Sequence, residues 1–111
     1  MIDLNRGDVI VYAAKGDYQG KPRPGVVVQR QSTLADAPSV TICGLTTVEL
    51  SVDPVRVCVQ PDGQNGLAER SYVMIDKIGT IPRRAIRQRA GTLKSADVSA
   101  IDLALRRWLE L

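Results

Sequence analysis

The chain has 111 residues, 44% hydrophobic and 24% charged, enough for one core and too few for two, so residues 1–111 read as a single domain. Zero histidines exclude a Ser-His-Asp triad, a Cys-His pair, paired-histidine ribonuclease chemistry and zinc sites that need imidazole, and no apolar run approaches the roughly 20 residues that span a bilayer. Fifteen Lys and Arg against twelve Asp and Glu leave only +3, a balance that by itself does not point to nucleic acid.

Met1 is followed by Ile2-Asp3 without a basic segment and apolar stretch, and the two cysteines, Cys43 and Cys58, lack CxxC spacing. Both features suggest a reducing cytoplasm, with the thiols as half-buried strand residues.

In chain order, residues 9–13 predict a first strand entered through Arg6-Gly7-Asp8, and residues 25–29 a second. Their uninterrupted β-branched runs predict burial on both faces. Residues 15–24 between them, with Pro22, Pro24, four charges and two glycines, predict an exposed loop without regular pairing. After a turn cluster at 32–39, residues 40–45 predict a third strand and residues 55–60 a fourth, in which Val55, Val57 and Val59 share a face. A turn-rich stretch at 61–66 leads to a strand at 71–76 that places Tyr72, Met74 and Asp76 together. Pro82 suits the first turn of a short helix through Arg89, and Ser95 suits the N-cap of a last helix running to the C-terminus. Val98, Ile101, Leu105, Trp108 and Leu109 form that helix's apolar stripe, with Trp108 read as core. The order of elements predicts a mainly β, α+β domain: a small, strongly bent antiparallel sheet or partial barrel covered by a helix.

Several motifs fail on inspection. Gly16-x-x-x-Gly20-Lys21 is one residue short of a phosphate loop, and Pro22 stands where a metal-binding hydroxyl belongs. Arg6-Gly7-Asp8 reads as the turn into the first strand, and two thiols without histidine make a poor ligand set, so no metal is expected. Residues 82–94 carry Arg83, Arg84, Arg87, Arg89 and Lys94 and no acid, a local positive field that suits phosphate or an acidic partner. What remains is Pro22-Arg23-Pro24, whose prolines restrict the arginine backbone to extended conformations, together with Thr46-Thr47 at the end of another strand.

Four segments in order, Arg6-Gly7-Asp8-Val9, the run from Gly16-Asp17-Tyr18-Gln19-Gly20-Lys21-Pro22-Arg23-Pro24 into Val26-Val27-Val28, Leu45-Thr46-Thr47, and Val73-Met74-Ile75-Asp76-Lys77, resemble the MazF/PemK (Kid) toxins over most of the chain. The resemblance implies a small SH3-like barrel and a cytoplasmic homodimer. It also implies metal-independent, sequence-specific cleavage of single-stranded RNA, and a MazE-like antitoxin with an acidic flexible tail. It places the catalytic arginine on Arg23, the hydroxyl residue on Thr46 and an acidic residue proposed as proton acceptor on Asp76. The arginine that some members carry two residues before that acid is Met74 here. The first loop, where others place Glu or His, offers Asp17 or Tyr18.

Internal attack by a ribose 2′-hydroxyl needs charge stabilisation, a proton acceptor and a proton donor. Arg23 fits the first role, since a guanidinium binds two oxygens and is a poor acid. Thr46 fits positioning, and Asp17 and Asp76 are the candidate bases. Tyr18, Gln19 and Lys21 are candidates for reading bases, and Thr47 and Lys77 join them as RNA-binding residues. A CcdB-like gyrase poison, with Trp108-Leu109-Glu110-Leu111 as its contact, and a catalytically degenerate RNA- or protein-binding module are the alternatives.

Overall fold

The computed structural model describes residues 2–13, 21–49 and 55–111. Six strands, β1 (Asp8–Ala13), β2 (Pro22–Val27), β3 (Ser39–Thr46), β4 (Arg56–Val59), β5 (Ser71–Pro82) and β6 (Ile86–Thr92), form one sheet in the order β4-β5-β3-β2-β1-β6. Every pairing is antiparallel. Among the described residues there is one α-helix, α1 (Ser95–Leu109), which follows β6. No helix among the described residues is long and apolar enough to cross a membrane.

The sheet is bent enough to own two cores, which is why β1 and β2 are apolar at consecutive positions. Val9, Val26, Cys43, Leu45, Val73 and Ile75 face α1, where Ile101, Ala104 and Leu105 meet them. Ile10, Val27, Val40, Ile42 and Ile86 point the other way and pack with Leu4 and Leu34. Val55, Val57 and Val59 do share the helix-facing side, as period-two alternation requires.

Asp8 ties β1 to the edge strand β6. It is fully buried; Oδ1 accepts from Thr92 Oγ1 at 2.9 Å and lies 3.8 Å from Arg89 Nη1, while Oδ2 accepts from Asn5 N–H at 2.8 Å. A buried carboxylate is tolerable only when it is satisfied in this way. Gly7 adopts φ 92°, so the Arg6-Gly7-Asp8 segment is indeed the turn into β1, and Arg6 Nη2 reaches Asp102 of α1 at 2.7 Å.

The loop after β4 closes the open side of the sheet. Asn65, fully buried, donates to Gln60 O at 2.9 Å and accepts from Leu67 N–H at 3.0 Å, and Thr92 N–H donates to Gln64 O at 2.9 Å. Gly66 lies at φ 71°, and a Cβ there would collide with the Ala90 carbonyl.

The structure corrects several expectations. Residues 82–89 are not a helix: Pro82 ends β5, Arg83–Ala85 make one 3-10 turn and residues 86–89 belong to β6. Ile86 is the sole large apolar residue of that stretch, so a helix there would bury no stripe, whereas pairing with β1 satisfies the backbone and leaves Arg87 and Arg89 in solvent. Pro22 and Pro24 lie inside β2 rather than in a loop. The fifth strand continues past Asp76 to Pro82, and α1 starts at Ser95 without a side-chain cap. Cys43 is buried and Cys58 exposed. Trp108 and Leu109, each 45% exposed, lie outside the core, because the helix extends beyond the sheet edge that covers Ile101 and Leu105.

Candidate active site

Arg23 owes its position to the ladder around it. Val27 O accepts from Gly7 N–H at 2.8 Å and Val28 N–H donates to Thr41 O at 3.1 Å, so alternate residues of β2 aim their backbone groups at β1 and β3. By that alternation Pro22 and Pro24 face the β3 side, where pairing begins only at Gly25. The missing proline donors therefore leave nothing unpaired. Arg23 pairs with Tyr12 of β1, and its exposed side chain stands at the mouth of a cleft.

That cleft measures about 230 Å3 and is lined by Tyr12, Arg23, Pro24, Gly44, Leu45, Met74 and Lys77. Its floor is Gly44: a Cβ there would stand 2.8 Å from Met74 Cε and 3.7 Å from Tyr12 Oη. Its far wall comes from an irregularity in β5. Cys43 is opposite Ile78 and Leu45 is opposite Val73, so two steps along β3 are matched by five along β5. The surplus makes a bulge that carries Met74 and Lys77 to the cleft, a common device for aiming side chains at a site.

Two cations thus converge on one small concavity. Among the described residues neither Arg23 nor Lys77 has a carboxylate within ion-pairing distance. The Tyr12 phenol between them is raised above its ordinary pKa by burial, an effect that the Arg23 charge partly offsets, so at neutral pH it is a hydroxyl able to donate or accept. Two cations and a hydroxyl around a cavity of this size suit a phosphodiester.

The other candidates lie around this cleft in different ways. Asp76 is on β5 between Met74 and Lys77, but its Oδ1 faces Arg56 Nε at 3.5 Å, with the side chains only 14% and 9% exposed. Neither atom has a hydrogen-bond partner. Arg56 reaches it because β4 pairs Arg56 with Met74. Thr46 follows Leu45, pairs with Tyr72, and accepts from Val48 N–H at 3.1 Å through Oγ1; Thr47 beside it is exposed, as is Lys21 ahead of β2. Asp17, Tyr18 and Gln19 lie outside the described residues. Cys43, beneath the cleft, is pushed up to about 11 by burial and then by the Asp76 charge, with Arg6 pulling the other way, so it is an inert thiol.

Tyr12 and Arg56 were not picked out from sequence. Tyr12 carried a readable signal, as the aromatic two residues after buried Ile10; Arg56 carried none, because its partner depends on which strands pair. Among the described residues no three His, Cys, Asp or Glu side chains gather as a metal site.

A sequence profile described as PemK-like, MazF-like toxin of type II toxin-antitoxin system matches residues 5–109. A probable endoribonuclease MazF of Mycolicibacterium smegmatis is 38% identical over 102 residues, covering 92% of this chain and 93% of that protein. Among solved structures, the Mycobacterium tuberculosis toxin MazF-mt6 superposes with a TM-score of 0.75 at 24% identity, over 94% of this chain and 97% of that one. A MazE-MazF crystal structure from Deinococcus radiodurans gives 0.78 at 15% identity, over 100% of both chains. At such identities the structural matches speak to the fold alone.

Proposed function

The chain belongs to the PemK-like, MazF-like toxins of type II toxin-antitoxin systems and is an endoribonuclease of that family; on that footing we propose that it cuts single-stranded RNA without a metal, at the Arg23–Lys77 cleft. The observation that carries the reading is the convergence of these two cations, with the Tyr12 hydroxyl, on a concavity floored by Gly44.

In the reaction the ribose 2′-oxygen bonds to phosphorus and the bond to the 5′-oxygen breaks, leaving a 2′,3′-cyclic phosphate and a 5′-hydroxyl. Arg23 holds the non-bridging oxygens with its fork of donors, Lys77 adds a second positive charge, and both act most strongly on the transition state, where charge accumulates. The 2′ proton passes to a carboxylate, Asp76 or Asp17, and the 5′-oxygen takes a proton from water. Asp76 also faces Arg56 of β4. Thr46, whose hydroxyl caps the turn at Val48, positions the strand end. Tyr18, Gln19, Lys21 and Thr47 are the residues we assign to reading and holding the RNA.

The rest of the proposal follows the family: action on messenger RNA in the cytoplasm, a homodimer, and neutralisation by a cognate antitoxin with an acidic flexible tail. The MazF relatives support the nuclease reading over a gyrase poison.

Incubation of the purified protein with a long single-stranded RNA in EDTA, with end-group mapping of the fragments, tests the proposal. Discrete cuts ending in 2′,3′-cyclic phosphate are expected, slowed about 100-fold or more in Arg23→Ala at an unchanged thermal midpoint, since Arg23 is exposed. Intact RNA, or equal cutting by the variant, would overturn it.

A further inference from the structure

The bulge that brings Lys77 to the cleft lacks the usual support of a neighbouring strand. On one side, β3 passes from Cys43, opposite Ile78, to Leu45, opposite Val73. On the other, β4 pairs with β5 from Ser71 to Met74 and no further. Among the described residues, Ile75, Asp76 and Lys77 therefore have no partner in either ladder, and a backbone without ladder bonds opens more readily than one inside a sheet.

What holds these three residues is their side chains. Ile75 is fully buried in the core beneath α1, which fixes one end of the bulge. Lys77 at the other end is exposed and lines the cleft with Arg23 and Tyr12. Between them Asp76 meets Arg56, Oδ1 to Nε at 3.5 Å, with side chains 14% and 9% exposed. Neither atom makes a hydrogen bond, so charge joins them. A pair so far out of water is a firmer constraint than a surface pair, since loss of one partner strands the other. Arg56 is itself fixed by its place opposite Met74 in the β4–β5 ladder.

We propose that Arg56 is a positioning residue of the nuclease: through Asp76 it holds the bulge against β4, and so sets where the Lys77 ammonium stands across the cleft from Arg23. The proposal rests on the nuclease reading above and deepens it. Arg56 is not one of the residues lining the cleft, so it acts on the phosphate through Lys77 rather than by touching it. Without the pair, Lys77 stays tethered to Ile75 by two residues of unpaired backbone, and its charge is spread over positions of which few meet the phosphate.

Single-stranded RNA gives up counterions at each phosphate contact, so the logarithm of affinity falls with the logarithm of salt by about 0.7 per contact, and the contact made by Lys77 can be counted. The probe is a fluorescein-labelled, fully 2′-O-methyl RNA of mixed sequence. It cannot undergo internal attack, so its binding is independent of which carboxylate takes the 2′ proton. In fluorescence anisotropy across a salt series, Lys77→Met and Arg56→Met should each make the slope shallower by about 0.7. The two together should do no more than either alone, as for residues that act through one contact. Arg56→Lys returns a point charge to Asp76 and should restore most of the wild-type slope. Arg56→Met/Asp76→Asn strands no charge and leaves the net charge unchanged; it should show the same loss, and it stands in for Arg56→Met wherever that variant melts below the assay temperature. A wild-type slope in the variants lacking the pair would overturn the proposal, as would a slope in Arg56→Lys no steeper than theirs. A further loss of about 0.7 on adding Arg56→Met to Lys77→Met would overturn it too, since Arg56 would then be contacting phosphate itself. A wild type that binds the probe yet leaves natural RNA intact in EDTA would count against the nuclease reading alone.

Discussion

Gly44 sets how much room a phosphate has between Arg23 and Lys77, because among the described residues a Cβ there would meet Met74 Cε and Tyr12 Oη within 4 Å. In Gly44→Ala the new methyl meets Met74 Cε at 2.8 Å, the far end of a flexible thioether that can swing aside. The fold should therefore survive, with a thermal midpoint within a few degrees of wild type. The methyl nevertheless takes space where the substrate must sit, and small displacements at a reacting centre are costly, so kcat/KM should fall about tenfold or more. Cleavage kinetics beside a melting curve check both halves; an unchanged kcat/KM would show that substrate does not reach the floor. Arg23 was legible in the sequence because its prolines mark it as a backbone held extended. Gly44 and Arg56 were not, since each matters only through cross-strand register, and the aromatic signal at Tyr12 did not name its partner. The pairing of Tyr12 with Arg23 and of Arg56 with Met74 depends on strand order, which no local pattern encodes.

At the scale of elements, the connection between β5 and β6 shows how a local signal is overridden. Pro82 and the following arginines have the composition of a helix start, yet Arg83 N–H donates to Pro38 O at 2.9 Å. Its guanidinium reaches Leu34 O, Ala37 O at 3.3 Å and Ile2 O at 3.0 Å. One side chain thus fastens the N-terminal segment and the turn before β3 to the end of β5, and the chain after it is free to pair with β1. Arg83→Met keeps most of the apolar stem but strands those carbonyls, at a cost of about 2–3 kcal/mol for hydrogen bonds from a charged donor. Differential scanning fluorimetry should register a midpoint about 10 °C lower. Arg83→Lys should recover little of it, because one ammonium cannot span carbonyls on separate segments. If Arg83→Met melts with the wild type, the arginine is not what latches these segments. The strand positions of β1, β3, β4 and α1 were legible because periodicity within each segment reports its buried face. The bulge in β5 and the edge strand β6 were not, since both answer to neighbours far away in sequence.

For the molecule as a whole, stability against pH follows from what lies at the meeting point of the sheet's layers. Cys43 is fully buried, and burial together with the Asp76 charge raises its thiol from 9.0 to about 11. The half-buried Tyr12 phenol is raised as well, by burial. For each group the folded state holds the proton more tightly than the unfolded chain does, so the stabilising contribution is complete below the unfolded pKa and is lost as pH rises through the folded one. The thermal midpoint should therefore be nearly level with respect to these groups up to about pH 9 and fall between there and about pH 11. Cys43→Ala removes the thiol's share, so its midpoint should decline less steeply over that window even though the variant starts lower for want of a buried sulfur. The same asymmetry sets reactivity: a thiol reagent at pH 8 should label Cys58, which is exposed, within minutes and reach Cys43 only when denaturant opens the sheet. Two thiols labelled at equal rates in the native protein would mean that the β2–β3–β5 layer opens locally. The alkaline loss of stability would then measure that opening rather than the cooperative transition of the whole domain.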